Sequence, residues 1–202
     1  MNDMNKEIKK IEEIFKGPFS EVYKVSIGDN IYVKKVIKNE DLFLRETDTL
    51  SLLHNIHYPK IYSSYIIILE YIDGLDLKNY INKNKLSKDK ILVIIKQILK
   101  AFINMHNNNV YHRDIKPGNI MITKDGIVKI IDYGFSCIKG KNCDKLLKGT
   151  PFYVAPELFV KKSGFIEEKD WHTNEIYSIG CVLYFLINGY SPYENKNIKS
   201  LK

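Results

Sequence analysis

The stretch "HRDIKPGNIMITKDGIVKIIDYG", residues 112–134, sets a dense run of polar groups against a hairpin, and the rest of the chain is read outward from it. Apolar positions alternate on both sides of Asp125-Gly126, a pairing of residue types that favours a tight turn between two antiparallel strands. Pairing Ile120–Thr123 with Ile127–Ile131 brings Asn119 and Asp132 out side by side at the open end of the hairpin. An amide oxygen beside a carboxylate suits a hard cation such as Mg²⁺, with phosphate oxygens completing its shell. Asp114 and Lys116 come just before, in a loop that Pro117 and Gly118 keep out of helix. A carboxylate that accepts a hydroxyl proton and an ammonium that neutralises phosphoryl oxygens are what phosphoryl transfer requires. One such residue alone reads as an ordinary salt-bridged loop; five at this spacing, His112, Arg113, Asp114, Lys116 and Asn119, do not.

The bulk of the chain sets limits on this. Its 202 residues, 45% hydrophobic and 27% charged, can bury one good core or two small lobes. No apolar run approaches the ~18 residues of a membrane span, and the start "MNDMNKEIKKIEEIF" carries charge throughout, unlike a signal peptide. The expectation is a cytoplasmic protein, nuclear being the other possibility, with no membrane partner. Cys137, Cys143 and Cys181 form no CxxC pair and leave an odd thiol, which fits a reducing compartment and gives no metal site. The net charge of +7 comes from lysines scattered along the whole chain, so a solvated basic surface is expected rather than a nucleic-acid interface.

Before the hairpin, residues 8–37 alternate in short apolar runs broken by "KGPFS" and "GDN", which predicts three antiparallel strands. Next, "NEDLFLRETDTLSLLHNI" has helical spacing behind Asn39 as cap, and "IYSSYIIILEYI" returns to strand. Ser87 caps a second helix whose apolar residues are Ile91, Leu92, Ile94, Ile95, Ile98, Leu99, Phe102 and Met105. The run at 176–187 is apolar on nearly every face and predicts a helix buried all round. The expected organisation is α+β: a small antiparallel sheet lobe with one helix at 1–73 and a mainly helical lobe at 74–202.

"HRDIKPGN" (112–119), "DYG" (132–134) and "GTPFYVAPE" (149–157), in that order and spacing, resemble the catalytic loop, metal-binding turn and substrate-positioning segment of eukaryotic-type Ser/Thr protein kinases. The resemblance covers residues 8–193 and implies a two-lobed fold that transfers phosphate from ATP to Ser or Thr hydroxyls of protein substrates. It makes Asp114 the catalytic base, Lys116 the phosphate-stabilising lysine, and Thr150 a support for Asp114 and the incoming hydroxyl. Asn119 and Asp132 become the Mg²⁺ ligands. "YVKKV" resembles the third-strand motif, which gives Lys34 to the α- and β-phosphates and Glu46 as its helix partner. "LEYIDGLDL" resembles the hinge: the backbone from Glu70 to Ile72 would bond adenine, and Asp76 would face the ribose.

The chain also departs from the family pattern. With Phe19 and Val22 aligned, only Gly17 remains of the glycine-rich loop, and Pro18 removes a backbone N–H where phosphate should be held. Tyr133 adds a hydroxyl that needs a partner, and Glu175 stands where the family has Asp. "IKGKNCDKLLK", after Cys137, holds no Ser, Thr or Tyr, so Arg113, which in the family often binds a loop phosphate, is expected to pair with Asp144. The sequence stops before the last helices of the family fold, and self-association or a protein partner is expected at that C-terminal face. The alternatives are a pseudokinase acting as a nucleotide- or protein-binding scaffold and a kinase of small molecules, which "GTPFYVAPE" disfavours.

Overall fold

The computed structural model describes residues 7–53, 60–63, 65–161 and 165–193. The chain divides into two compact units, residues 1–72 and 73–202.

In the first unit, β1 (Ile8–Lys16), β2 (Ser20–Ile27), β3 (Asn30–Ile37), β4 (Lys60–Ser63) and β5 (Ile66–Glu70) form an antiparallel sheet in the order β1-β2-β3-β5-β4. Two tight turns set its register: Gly17 N–H closes onto Ser20 C=O at 2.9 Å, and β2 returns to β3 with Ile27 opposite Asn30. Val25, Ile27, Ile37 and Ile67 lie at alternate positions and are buried, each contributing about 1.5–3 kcal/mol by leaving water. Helix α1 (Glu40–Leu52) starts where Asn39 Oδ1 accepts the Leu42 N–H at 3.1 Å, with Glu40 and Asp41 favourably placed at the positive end of the helix dipole. Its buried residues are Glu46, Thr47, Thr49 and Leu50. The end of the expected helix, residues 54–56, lies outside the described residues.

The second unit contains β6 (Gly74–Asp76), α2 (Leu77–Lys83), α3 (Lys88–Asn107), β7 (Val110–Tyr111), β8 (Ile120–Thr123), β9 (Val128–Ile130), β10 (Cys137–Ile138), α4 (Pro156–Phe159) and α5 (Glu168–Asn188). The hairpin forms as β8 and β9, with Ile120 opposite Ile130 and Ile122 opposite Val128, and β6 joins on the other side of β8. Gly74 is required by that third strand, because a Cβ there would meet Ile122 O at 2.3 Å. Ser87 Oγ caps α3 through the Lys90 N–H at 3.2 Å. Ile94, Ile95, Ile98, Phe102 and Met105 are buried as the helical spacing predicts, whereas Leu92 and Leu99 face solvent.

Two expectations are corrected here. Helix α5 is not buried all round: Ile176 and Ile187 are 53% and 63% exposed, a stripe opposite the buried Val182, Phe185 and Leu186. The cysteines do not stay separate either, since Gly140, at φ +74°, helps fold the segment back and Cys137 is joined to Cys143 by a disulfide. Cys181 is buried and free. Among the described residues, no helix is long and apolar enough to cross a membrane.

Candidate active site

Short β7 delivers the chain into residues 112–119, and β8 takes it away, so the polar loop is pinned at both ends. His112, fully buried, donates from Nε2 to Ile131 C=O at 3.0 Å and accepts the Asp114 N–H at Nδ1, 3.3 Å away; this arrangement is that of the neutral Nε2–H ring. Glu175, also fully buried, accepts the backbone N–H of His112 at 2.5 Å and of Arg113 at 2.9 Å, and its other oxygen meets His106 Nε2 at 2.6 Å. The extra methylene of Glu175 is accommodated from α5. Arg113 (φ +66°) holds the bend at which the backbone turns toward Asp114.

The carboxylate of Asp114 takes four hydrogen bonds. Oδ1 accepts the Thr150 N–H at 2.8 Å and the Thr150 hydroxyl at 2.7 Å. Oδ2 accepts Lys116 Nζ at 2.6 Å and Asn119 Nδ2 at 3.0 Å. Lys116 Nζ also reaches Thr150 Oγ1 at 2.8 Å, so Asp114, Lys116, Asn119 and Thr150 form one network from segments far apart in sequence. Gly149 makes the approach of Thr150 feasible: at φ +113° it suits no other residue, and a Cβ there would meet Arg113 O at 2.5 Å.

Asn119 and Asp132 do emerge at the hairpin's open end, offset by one residue. Asn119 C=O pairs with the Ile131 N–H at 2.9 Å, and Asp132 follows, exposed and at φ +63°. The Asn119 amide N–H is given to Asp114, which leaves its Oδ1 as an acceptor. Among the described residues no group of three or more His, Cys, Asp or Glu could hold a metal by itself. The donor set fits a cation that draws the rest of its shell from phosphate oxygens.

The expected pairing of Lys34 with Glu46 is overturned. Lys35 Nζ lies 2.8 Å from both oxygens of Glu46, with side chains only 9% and 2% exposed. Lys34 points to the opposite face of β3, because successive strand residues alternate. Val22 pairs directly with Lys35, and Tyr23 with Lys34, so it is Lys35 that shares Val22's face of the sheet. Glu70 ends β5 opposite Tyr32, and Ile72 lies just beyond it. Asp76 accepts the Asn79 N–H at 2.9 Å as the cap of α2 and also touches the Asn79 side-chain amide. Gly17 opens the β1–β2 turn; its N–H is spent on Ser20 and Pro18 has none, so two of the three turn residues offer no N–H to a phosphate.

Arg113 pairs with Asp144 as expected, Nη1 to Oδ1 at 3.1 Å. Its Nε donates to Phe135 C=O at 2.6 Å and its guanidinium lies 5.1 Å from the Trp171 ring centre. Burial pushes the Tyr133 hydroxyl well above the usual phenol range, and among the described residues that hydroxyl has no hydrogen-bond partner. The residues missed in the sequence are Lys35 and His106; the register of the two-residue turn before β3 could have pointed to the first, and the second carried no signal.

A family model described as protein kinase domain matches residues 8–202. Calcium-dependent protein kinase 4 of Plasmodium falciparum is 33% identical over 96% of this chain and 39% of its own length. MAP3K epsilon protein kinase 1 of Arabidopsis thaliana is 34% identical over 90% of this chain and 14% of its own, and CBL-interacting serine/threonine-protein kinase 20 of the same plant is 30% identical over 90% and 45%. The chain thus spans less than half the length of each of these relatives. With the matched domain covering all but the first seven residues, the chain belongs to the protein kinase family.

Proposed function

We propose that this chain transfers the γ-phosphoryl group of ATP to Ser or Thr hydroxyls of protein substrates, with Asp114 as the base. The observation that carries this is the Asp114 carboxylate, held between Lys116, Asn119 and Thr150. Bound MgATP supplies the phosphoryl group and a cation that neutralises its oxygens, with Asn119 Oδ1 and the Asp132 carboxylate as the protein ligands. Thr150 and Lys116 fix the rotamer of Asp114, so that a substrate hydroxyl placed at Oδ gives up its proton as the phosphoryl group arrives. Lys116 carries positive charge at the same point, where the transferring oxygens gather negative charge. Lys35, locked by Glu46, takes the role of the lysine on the α- and β-phosphates.

The test is phosphate transfer from labelled ATP to general protein substrates, with phosphoamino-acid analysis of the product. Asp114→Asn should lose about 10²- to 10⁴-fold in rate, and the product should be phosphoserine or phosphothreonine. Phosphotyrosine as the main product, or equal rates in parent and Asp114→Asn, overturns the reading. The N–H-poor turn between β1 and β2 favours a second reading, a pseudokinase scaffold. Thermal stabilisation by MgATP with no transfer to any substrate selects it.

A further inference from the structure

Beside Lys116 the second unit has a cavity of about 230 Å³, and what lines it differs in character from the transfer site. Phe152, Tyr153 and Phe185 form apolar walls, Gly118 forms an opening, and the charged groups lining it are Lys78 and Lys116. Among the described residues, no carboxylate belongs to the lining. The two lysines are not equivalent. Lys116 is held by Asp114 at 2.6 Å and Thr150 at 2.8 Å, so much of its charge is already answered. Lys78, the second residue of α2, is exposed, and no ion pair among the described residues involves it. The nearest capping carboxylate, Asp76, is engaged by Asn79.

Gly118 is informative for the opposite reason to Gly149. Its φ is not positive, and a Cβ built there would meet nothing within 4 Å. Neither backbone conformation nor packing requires glycine at this point. The space is open and adjoins the pocket, and no described residue lining the pocket offers negative charge.

Resting on the kinase reading above, we propose that this pocket receives an anionic side chain of the protein substrate, with Lys78 as its counter-charge and as a determinant of substrate choice. Because the pocket reaches Lys116, the accepted residue lies within a few positions of the phosphoacceptor. The aromatic walls suit the stem of such a side chain, and the low polarity beside them strengthens its attraction to Lys78. Two substrate classes share this chemistry: acidic sequences with Asp or Glu, and sequences already carrying a phosphoserine. A basic side chain at the same place meets two cations and is rejected.

The experiment uses peptides with one Ser in an otherwise neutral sequence, with Asp, Glu, phosphoserine or Lys placed singly at each of the three positions on either side. Each result is the ratio of kcat/KM for the charged peptide to that for the neutral one, measured within each variant, so that any loss common to all peptides cancels. One position should show a gain of about three- to ten-fold for the anionic residues and a loss for Lys, carried by KM. Lys78→Ala should bring the ratio near one, and Lys78→Glu should invert it in favour of Lys. Gly118→Glu, which adds a carboxylate to the wall and removes nothing, should move the ratio the same way. A larger gain for phosphoserine assigns previously phosphorylated substrates, and a larger gain for Asp or Glu assigns acidic ones. If the parent enzyme phosphorylates the neutral peptide but shows no anionic preference anywhere, the pocket assignment fails while the kinase reading stands. The same holds if Lys78→Glu and Gly118→Glu both keep the parent's preference. If no peptide is phosphorylated at all, the kinase reading fails and takes the pocket assignment with it.

Discussion

Lys35–Glu46 in the first unit and Arg113–Asp144 in the second are both lysine- or arginine-to-carboxylate pairs, but their surroundings make them different kinds of contact. In the first, both side chains are at most 9% exposed and both carboxylate oxygens meet the same ammonium at 2.8 Å. In the second, Arg113 is 1% exposed while Asp144 is 25% exposed, and the guanidinium has Phe135 C=O and the Trp171 ring besides. Removing one member of a pair buried on both sides strands a charge away from water, while a buried cation with several partners gives up one half-exposed carboxylate at modest cost. A third pair, Lys38–Glu21 at 3.0 Å, sits further out still, with side chains 42% and 20% exposed.

The comparison can be broken first at its buried end. Lys35→Ala takes from buried Glu46 the ammonium that both of its oxygens meet, and should cost about 3–5 kcal/mol in denaturant unfolding, while Lys34→Ala should stay within about 0.5 kcal/mol. Equal losses in the two variants would mean that burial does not separate them. Next comes the loop that carries Asp144. The Cys137–Cys143 disulfide closes a short ring just before it, and Cys143→Ser should lower stability by about 2 kcal/mol on the chain-entropy account. Hydrogen exchange across residues 138–147 should speed up in the same variant. Unchanged exchange there would mean that the disulfide does not order this loop.

Asp144→Asn should cost about 1 kcal/mol, a several-fold drop in phosphate transfer, while phosphatase treatment of the parent leaves its rate unchanged. At the exposed end the expected effect is a titration. The Tyr23 hydroxyl, donating at 2.6 Å, and then Lys38 hold the Glu21 carboxyl down to about 2. A depressed carboxylate stabilises the fold above its unfolded pKa and loses that contribution as pH falls toward about 2. Tyr23→Phe should raise the Glu21 midpoint, read by NMR, and should remove part of that contribution at neutral pH while changing stability little near pH 2, where the carboxyl is protonated.

Much of the site was legible in the sequence because one hairpin carries it. Asp125-Gly126 set the turn, the turn set the register, and the register placed Asn119 and Asp132 at the open end. The Lys34 misreading has the same physics. Tyr32 and Val36 are as apolar as Val33 and Ile37, so composition alone does not say which face of β3 is inward. The two-residue turn at Gly28-Asp29 does say it, since Ile27 opposite Asn30 places Val22 opposite Lys35. The disulfide was less readable, because its cysteines meet only once the segment between them has folded back. The network joining His106, Glu175 and the backbone of His112 spans α3, α5 and the loop at 112–119, and no local pattern marks it.

Gly149 has a genetic consequence. The clearance that seats Thr150 against Asp114 is smaller than a methyl group, so single-nucleotide changes at this codon that replace glycine act on Asp114 from a distance, through Thr150. Such an allele would be expressed with Asp114 intact and would still lose the hydroxyl and N–H that hold it. Sorting natural variants of this gene by their loop motif alone would count it as functional.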